Sequence, residues 1–171
     1  MQDIGGTKDV ISRYEDYLRE KERLEQPEVP VASPATEQRV AHLRSVTVLA
    51  RGNPVEISVE HLSDLEVIVD FEIFDTTKVQ IGFAIDRNDG LCCYADNMKR
   101  QGLMPFQGPG HESPTILFRN IPLLNGAYKF VIFLLDETGI CIFDRKESSV
   151  IHVSSDEKKW GVCSMEHEWK L

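Results

Sequence analysis

The stretch Leu65-Glu-Val-Ile-Val-Asp-Phe-Glu-Ile-Phe74, followed by Lys78-Val-Gln-Ile-Gly-Phe-Ala-Ile-Asp-Arg-Asn-Asp-Gly90, decides the fold class. Leu65, Val67, Val69, Phe71 and Ile73 recur at every second position, and so do Val79, Ile81, Phe83 and Ile85. Side chains alternate faces along an extended chain, so each run turns one apolar face to a core and one mixed face away from it. A helix would repeat near 3.6 residues and spread the same side chains around its circumference. Asn88-Asp89-Gly90 closes the second run, and Asp-Gly supplies the positive-φ residues that tight hairpins need.

The same pattern continues on either side. Val40–Leu49 carries Leu43, Val46 and Val48 and ends at the turn Arg51-Gly52-Asn53-Pro54, after which Val55–Val59 alternates. Leu91–Asn97 runs back from the Asp-Gly turn, and a longer polar loop with Gly102, Pro105, Gly108, Pro109 and Gly110 spans about 98 to 113. Strands are expected again at Thr115–Asn120, Ala127–Leu135, Ile140–Asp144, Val150–Val153 and from Val162 to Met165. About nine or ten strands at hairpin spacing, with no interleaved helices, predict an all-β antiparallel sandwich over residues 40–171. Upstream, Val10, Ile11, Tyr14, Tyr17, Leu18 and Leu24 recur at helical spacing, which predicts a helix within residues 1–26. Pro27, Pro30 and Pro34 remove donors and fix φ, so residues 27–39 are expected to be an extended linker.

Charge narrows the partners. The chain has 171 residues, with 19 Lys plus Arg against 28 Asp plus Glu, a formal net charge of −9. Nucleic acid and anionic lipid repel such a chain unless it carries a basic patch, and the nearest candidate, Met98-Lys-Arg-Gln101, holds two cations. No apolar run approaches the roughly 18 residues of a membrane-spanning helix. The first residues lack the basic and apolar regions of a signal peptide. Cys92, Cys93, Cys141 and Cys163 show no CxxC spacing and read as buried reduced thiols, so a cytosolic location is expected.

The motifs of common catalytic sites are missing: there is no phosphate loop, GxGxxG, HExxH or GxSxG. Asp86-Arg-Asn88-Asp-Gly90 places Gly90 and Leu91 where a calcium loop needs a ligand and a glycine, so it reads as a hairpin turn. The five histidines show no ligand spacing, and no metal or cofactor is expected. Binding residues are easier to place. The mixed face of 79–85 carries Gln80, Gly82, Ala84 and Asp86, and Tyr94 and Asn97 lie on the next strand. A shallow floor with an aromatic ring, an amide and a carboxylate suits a sugar, whose C–H face packs on rings and whose hydroxyls take paired hydrogen bonds. Arg119, Lys129 and Arg145 are candidate partners for an acidic group, whereas Tyr128 and Phe143 read as core. Cys163, Met165, His167 and Trp169 alternate onto one face of a final segment that also holds Trp160 and Val162. That segment is either an edge strand over the core or a strand that pairs with a second subunit.

Three stretches together resemble a known family. Asp9-Val-Ile-Ser-Arg-Tyr-Glu-Asp-Tyr-Leu18 is similar to the last helix of an ABC-transporter ATPase domain. Ile85-Asp-Arg-Asn-Asp-Gly-Leu-Cys-Cys-Tyr-Ala-Asp-Asn97 is similar to a strand–turn–strand, and Ile121-Pro-Leu-Leu-Asn-Gly-Ala-Tyr128 with Leu135-Asp-Glu-Thr-Gly139 and Phe143-Asp144 to a later hairpin. The family they resemble is the C-terminal part of the ATP-binding, Wzt-type subunit of O-antigen polysaccharide exporters. The resemblance implies a jelly-roll carbohydrate-binding module that is not itself an enzyme. Residues 1–26 would then be the end of the preceding ATPase domain. It implies recognition of a polysaccharide chain end, often modified, and coupling to the transporter's membrane subunit through the parent ATPase subunit at the inner face of the bacterial inner membrane. It also implies a homodimer with C-terminal strand exchange, for which Trp160, Val162, Met165 and Trp169 are the candidate residues. The family supplies no positions for sugar contacts. Two other readings stay open: a docking module that binds no glycan, and a jelly-roll enzyme.

Overall fold

In the computed structural model, residues 39–54, 58–156 and 159–170 are described. The helix expected within 1–26, residues 27–38 of the linker and Val55–Ile57 lie outside the described residues. Twelve strands form two sheets. One sheet holds β1 (Ala41–Ala50), β2 (Asn53–Pro54), β4 (Leu65–Ile73), β8 (Gly110–Glu112) and β9 (Thr115–Phe118). Its order is β2-β1-β4, with β9 and β8 sharing the far edge of β4, opposite Leu65–Ile68 and Phe71–Ile73 respectively. The other sheet contains β3 (Ser58–Glu60), β5 (Lys78–Arg87), β6 (Cys92–Asn97), β7 (Phe106–Gln107), β10 (Gly126–Leu135), β11 (Ile142–Glu147) and β12 (Ile151–Ser154). Its order is β3-β12-β10-β5-β6, with β11 beside β12 on β10 and β7 beside β6 on β5. Every pairing is antiparallel except that of β12 with β3.

The alternating runs become the two faces of the core as expected. Leu65, Val67, Val69, Phe71 and Ile73 are fully buried and meet Ile81, Phe83, Tyr128, Phe130, Ile132 and Leu134 of the facing sheet. Burying side chains of this size stabilises a fold by about 1.5 to 3 kcal/mol each, so a loss anywhere along β4 is costly. The Tyr128 hydroxyl donates to the Leu124 carbonyl at 2.9 Å, which satisfies its one polar atom, and burial raises its pKa. Phe143 packs against the core, as its sequence pattern suggests.

The sandwich is tied along one long edge. Asp144 on β11 accepts the Leu43 N–H at 2.8 Å and contacts His42 Nδ1 at 2.9 Å, across to β1 of the other sheet. The opposite edge, between β6 and β9, has no such tie among the described residues. Two expectations are corrected here. Cys92 and Cys141 are exposed rather than buried, because both stand beside turns. The strand expected at Val162–Met165 shrinks to one bridge between Leu123 and Cys163. Ser164 N–H donates to the Pro122 carbonyl at 2.8 Å, but proline offers no N–H in return, so the ladder stops. Among the described residues no helix is long and apolar enough to cross a membrane.

Candidate functional site

The untied edge opens into a cleft of about 760 Å³ between the sheets. Its floor is apolar: Ile81, Phe83 and Ile85 of β5 face Ile116 and Phe118 of β9, with Leu123 at one end. Phe83 is the pivot, with Phe118 edge-on at a centroid distance of 5.1 Å and Tyr94 tilted at 5.9 Å. Tyr94 comes to the cleft because β6 pairs with β5 so that Tyr94 stands opposite Ile85, a core residue. Directly opposed residues share a face. At the sheet edge nothing covers the tyrosine, and it is 53% exposed.

A polar rim surrounds that ring. The Tyr94 hydroxyl points to Asp96 Oδ2 at 3.4 Å, and Gln101 Nε2 donates to the same oxygen at 3.0 Å. Asp96 Oδ1 accepts the Asn97 N–H at 2.8 Å. These bonds, the Gln101 amide first, hold the Asp96 carboxyl below the usual carboxylate range, so it is ionised and acts as an acceptor at neutral pH. Asn97 Oδ1 accepts the Arg100 N–H at 3.0 Å and shapes the turn that carries Gln101. Cys93 and Cys163 also line the cleft, and burial raises the Cys93 pKa, which keeps it protonated and unreactive.

The residues picked out from sequence divide between two places. Tyr94 and Arg119 line the cleft, and Arg119 is ion-paired with Asp64 at its end; Asn97 borders it too, but stands opposite Gly82 and turns its carboxamide to the outer face beside Gly139. Asp86, Lys129 and Arg145 lie on the outer face of the sheet, away from Tyr94. There Lys129 stands opposite Asp86 in register, and both Lys129 and Arg145 pair with Glu147. Gln80 is in neither group. It is 2% exposed, donates to the Asp136 and Glu137 carbonyls at 2.8 and 3.2 Å, and accepts the Lys99 N–H at 3.1 Å. The floor expected from Gln80, Gly82 and Ala84 is covered, with Leu135 lying over Gly82. Sequence reasoning missed Asp96 and Gln101. Asp96 carried a usable signal, since it lies two residues from Tyr94 on the same strand face; Gln101 carried none.

Val162, Met165, Trp160 and Trp169 lie in the segment after the sandwich. Met165 lines the cleft mouth, whereas Trp160 is 98% exposed and Trp169 83%. Among the described residues no group of three or more His, Cys, Asp or Glu side chains could hold a metal ion.

No protein-family profile matches this chain, and no curated protein matches it. Solved structures do. A calcium-binding mutant of Bacteroides uniformis beta-glucuronidase 2 aligns with 63% of this chain and 14% of its own, at 10% identity and a TM-score of 0.46. A Niemann-Pick type C2 protein from the Japanese carpenter ant aligns over 70% of this chain and 97% of its own, at 10% identity and a TM-score of 0.45. The C-terminal domain of Wzt aligns over 78% of this chain and 85% of its own, at 17% identity and a TM-score of 0.67. The described sandwich therefore shares the fold of the Wzt C-terminal domain.

Proposed function

We propose that this chain is a non-catalytic carbohydrate-binding module that recognises the end of an O-polysaccharide and couples it to export by an ABC transporter. The observation that carries the reading is an open cleft in a Wzt-like sandwich, with a half-exposed tyrosine ring beside a carboxylate and an amide at its mouth. A sugar ring needs an aromatic face for its C–H surface and paired acceptors and donors for its hydroxyls; Tyr94, Asp96 and Gln101 supply them. A few such contacts amount to about 4 to 6 kcal/mol, a Kd between tens of micromolar and millimolar. A second copy would raise the effective affinity where one glycan end reaches both sites. The partners that accompany this role are the parent ATP-binding subunit, the transporter's membrane subunit and a second copy of the chain, at the cytoplasmic face of the inner membrane.

Calorimetric titration with polysaccharide from the source strain tests the reading. Binding of the chain with its native terminal group, lost when that group is absent and weakened at least tenfold by Tyr94→Ala, is the expected result. Equal binding with and without the terminal group, or none at millimolar glycan, contradicts it. The bare tryptophans favour the second reading, a docking module without glycan binding, in that last case.

A further inference from the structure

We infer that the depth of the cleft is a binding site for a hydrocarbon chain: one medium or long alkyl or acyl chain, carried by an amphiphile whose uncharged, hydroxyl-bearing head stays at the mouth. This site lies below the rim that holds a sugar and does not depend on it. Its walls offer nothing to a polar ligand. Ile81, Phe83 and Ile85 line it from β5, and Ile116, Phe118 and Leu123 line it as well. The main-chain groups of β5 are spent on β6 and β10. Among the described residues no buried side-chain nitrogen or oxygen lacks a hydrogen-bond partner, so none waits for a ligand atom. A pyranose, with hydroxyls around its ring, would lose its water at that depth without gaining a bond, whereas a methylene chain gains by leaving water.

Shape and composition point the same way. Tyr94, Leu103 and Met165 at the mouth are about half exposed or more, while Ile81, Phe83, Ile85 and Leu123 are at most 7% exposed. A slit of that profile admits a chain one methylene wide end-on and stops a ring at its rim. The volume of about 760 Å³ is that of a small-molecule pocket. Met98 and Met165 both line it, and thioether side chains are flexible and polarizable enough to adapt to apolar ligands of varied shape. At the mouth the Tyr94 hydroxyl, the Asp96 carboxylate and the Gln101 amide match a hydroxyl-bearing head. The ionised Asp96 disfavours a free fatty acid, whose carboxylate would lie beside it.

Methionine methyl NMR on the full chain reads this directly. Met98 lines the cleft, while Met104 is exposed and does not, so Met104 is an internal control. The probes are methyl, hexyl, octyl and decyl β-glucosides below their micelle concentrations, with geranyl β-glucoside as a branched, unsaturated match for decyl. The expected result is that the Met98 signal moves with the longer chains and not with methyl glucoside. Met104 stays, and affinity rises at least about fivefold for each two methylenes added. Tighter binding of decyl than of geranyl glucoside assigns a straight alkyl or acyl chain, and the reverse assigns an isoprenoid one; either supports the site. Affinity that does not rise with chain length overturns it, as does a Met98 signal unmoved by every chain. So do Met104 and the Trp160 and Trp169 indoles shifting as much as Met98, which marks detergent coating the bare surface. The strain's polysaccharide in a separate sample keeps the two readings apart. Amide shifts at 94–101 with polysaccharide, and Met98 unmoved by alkyl chains, remove the hydrocarbon site and leave the glycan reading standing. Chain-length-dependent binding with no polysaccharide shift does the reverse.

Discussion

Gln80 shows how a polar residue in a core strand is put to use. Its buried amide bonds the turn after β6 through the Lys99 N–H and the turn after β10 through the Asp136 and Glu137 carbonyls. Gln80→Leu keeps the shape but orphans one donor and two acceptors, and should cost about 2 to 3 kcal/mol in urea denaturation. Because the first of those turns carries Gln101, the same variant should also weaken glycan binding. Asp89 offers a pH-dependent test. Its bond with Arg87 at the β5–β6 turn lowers its pKa from 3.8 to about 2. A carboxylate depressed in the folded state stabilises above its unfolded pKa, and that stabilisation is lost as pH falls from about 4 through 2. The turn is solvated, so the contribution is about 1 kcal/mol or less. Asp89→Asn should lower Tm at pH 6 and leave it unchanged near pH 2, measured by calorimetry across that range.

At the scale of elements, loop 105–110 is held by a contact no larger residue can make. A Cβ on Gly108 would lie 2.4 Å from Ile73 Cγ2 and 2.7 Å from the Asp75 carbonyl, at the end of β4. Gly108→Ala must lift the loop from the sheet, and a loss of about 2 kcal/mol or more in denaturant unfolding is expected. The strands themselves were legible because alternation is a local signal: β4 and β5 follow from Leu65–Ile73 and Val79–Ile85 alone. The short strands β7 and β8 were not, since two or three residues carry no period and are set by what β5 and β4 offer them. The site was legible only in part. Tyr94 and Asp86 both stand out in the sequence, yet the facing partner of each strand decides which side it serves, and pairing with Ile85 sends Tyr94 inward to the cleft. Gln80 looked like a ligand group because nothing in its own strand reveals the two turns that consume it.

At the scale of the whole molecule, the sandwich is closed along the β1–β11 edge by Asp144 and open along the β6–β9 edge, where the apolar tail residue Met165 reaches the cleft mouth. Trp160 and Trp169 lie on the same tail and are nearly bare, a surface that a second copy would cover. Sedimentation equilibrium should show a dimer for the full chain and a monomer for the double variant Trp160→Ser, Trp169→Ser; a monomer before substitution contradicts the dimer. The central claim is that the open edge binds a glycan end. Backbone amide NMR of the full chain, titrated with the strain's polysaccharide bearing its native terminus, tests it most directly. The account predicts localised shifts at residues 94–101 and 116–119 with the outer-face residues 129–131 and 145–147 unmoved. Shifts confined to that outer face, or no shifts at all at millimolar glycan, would contradict it.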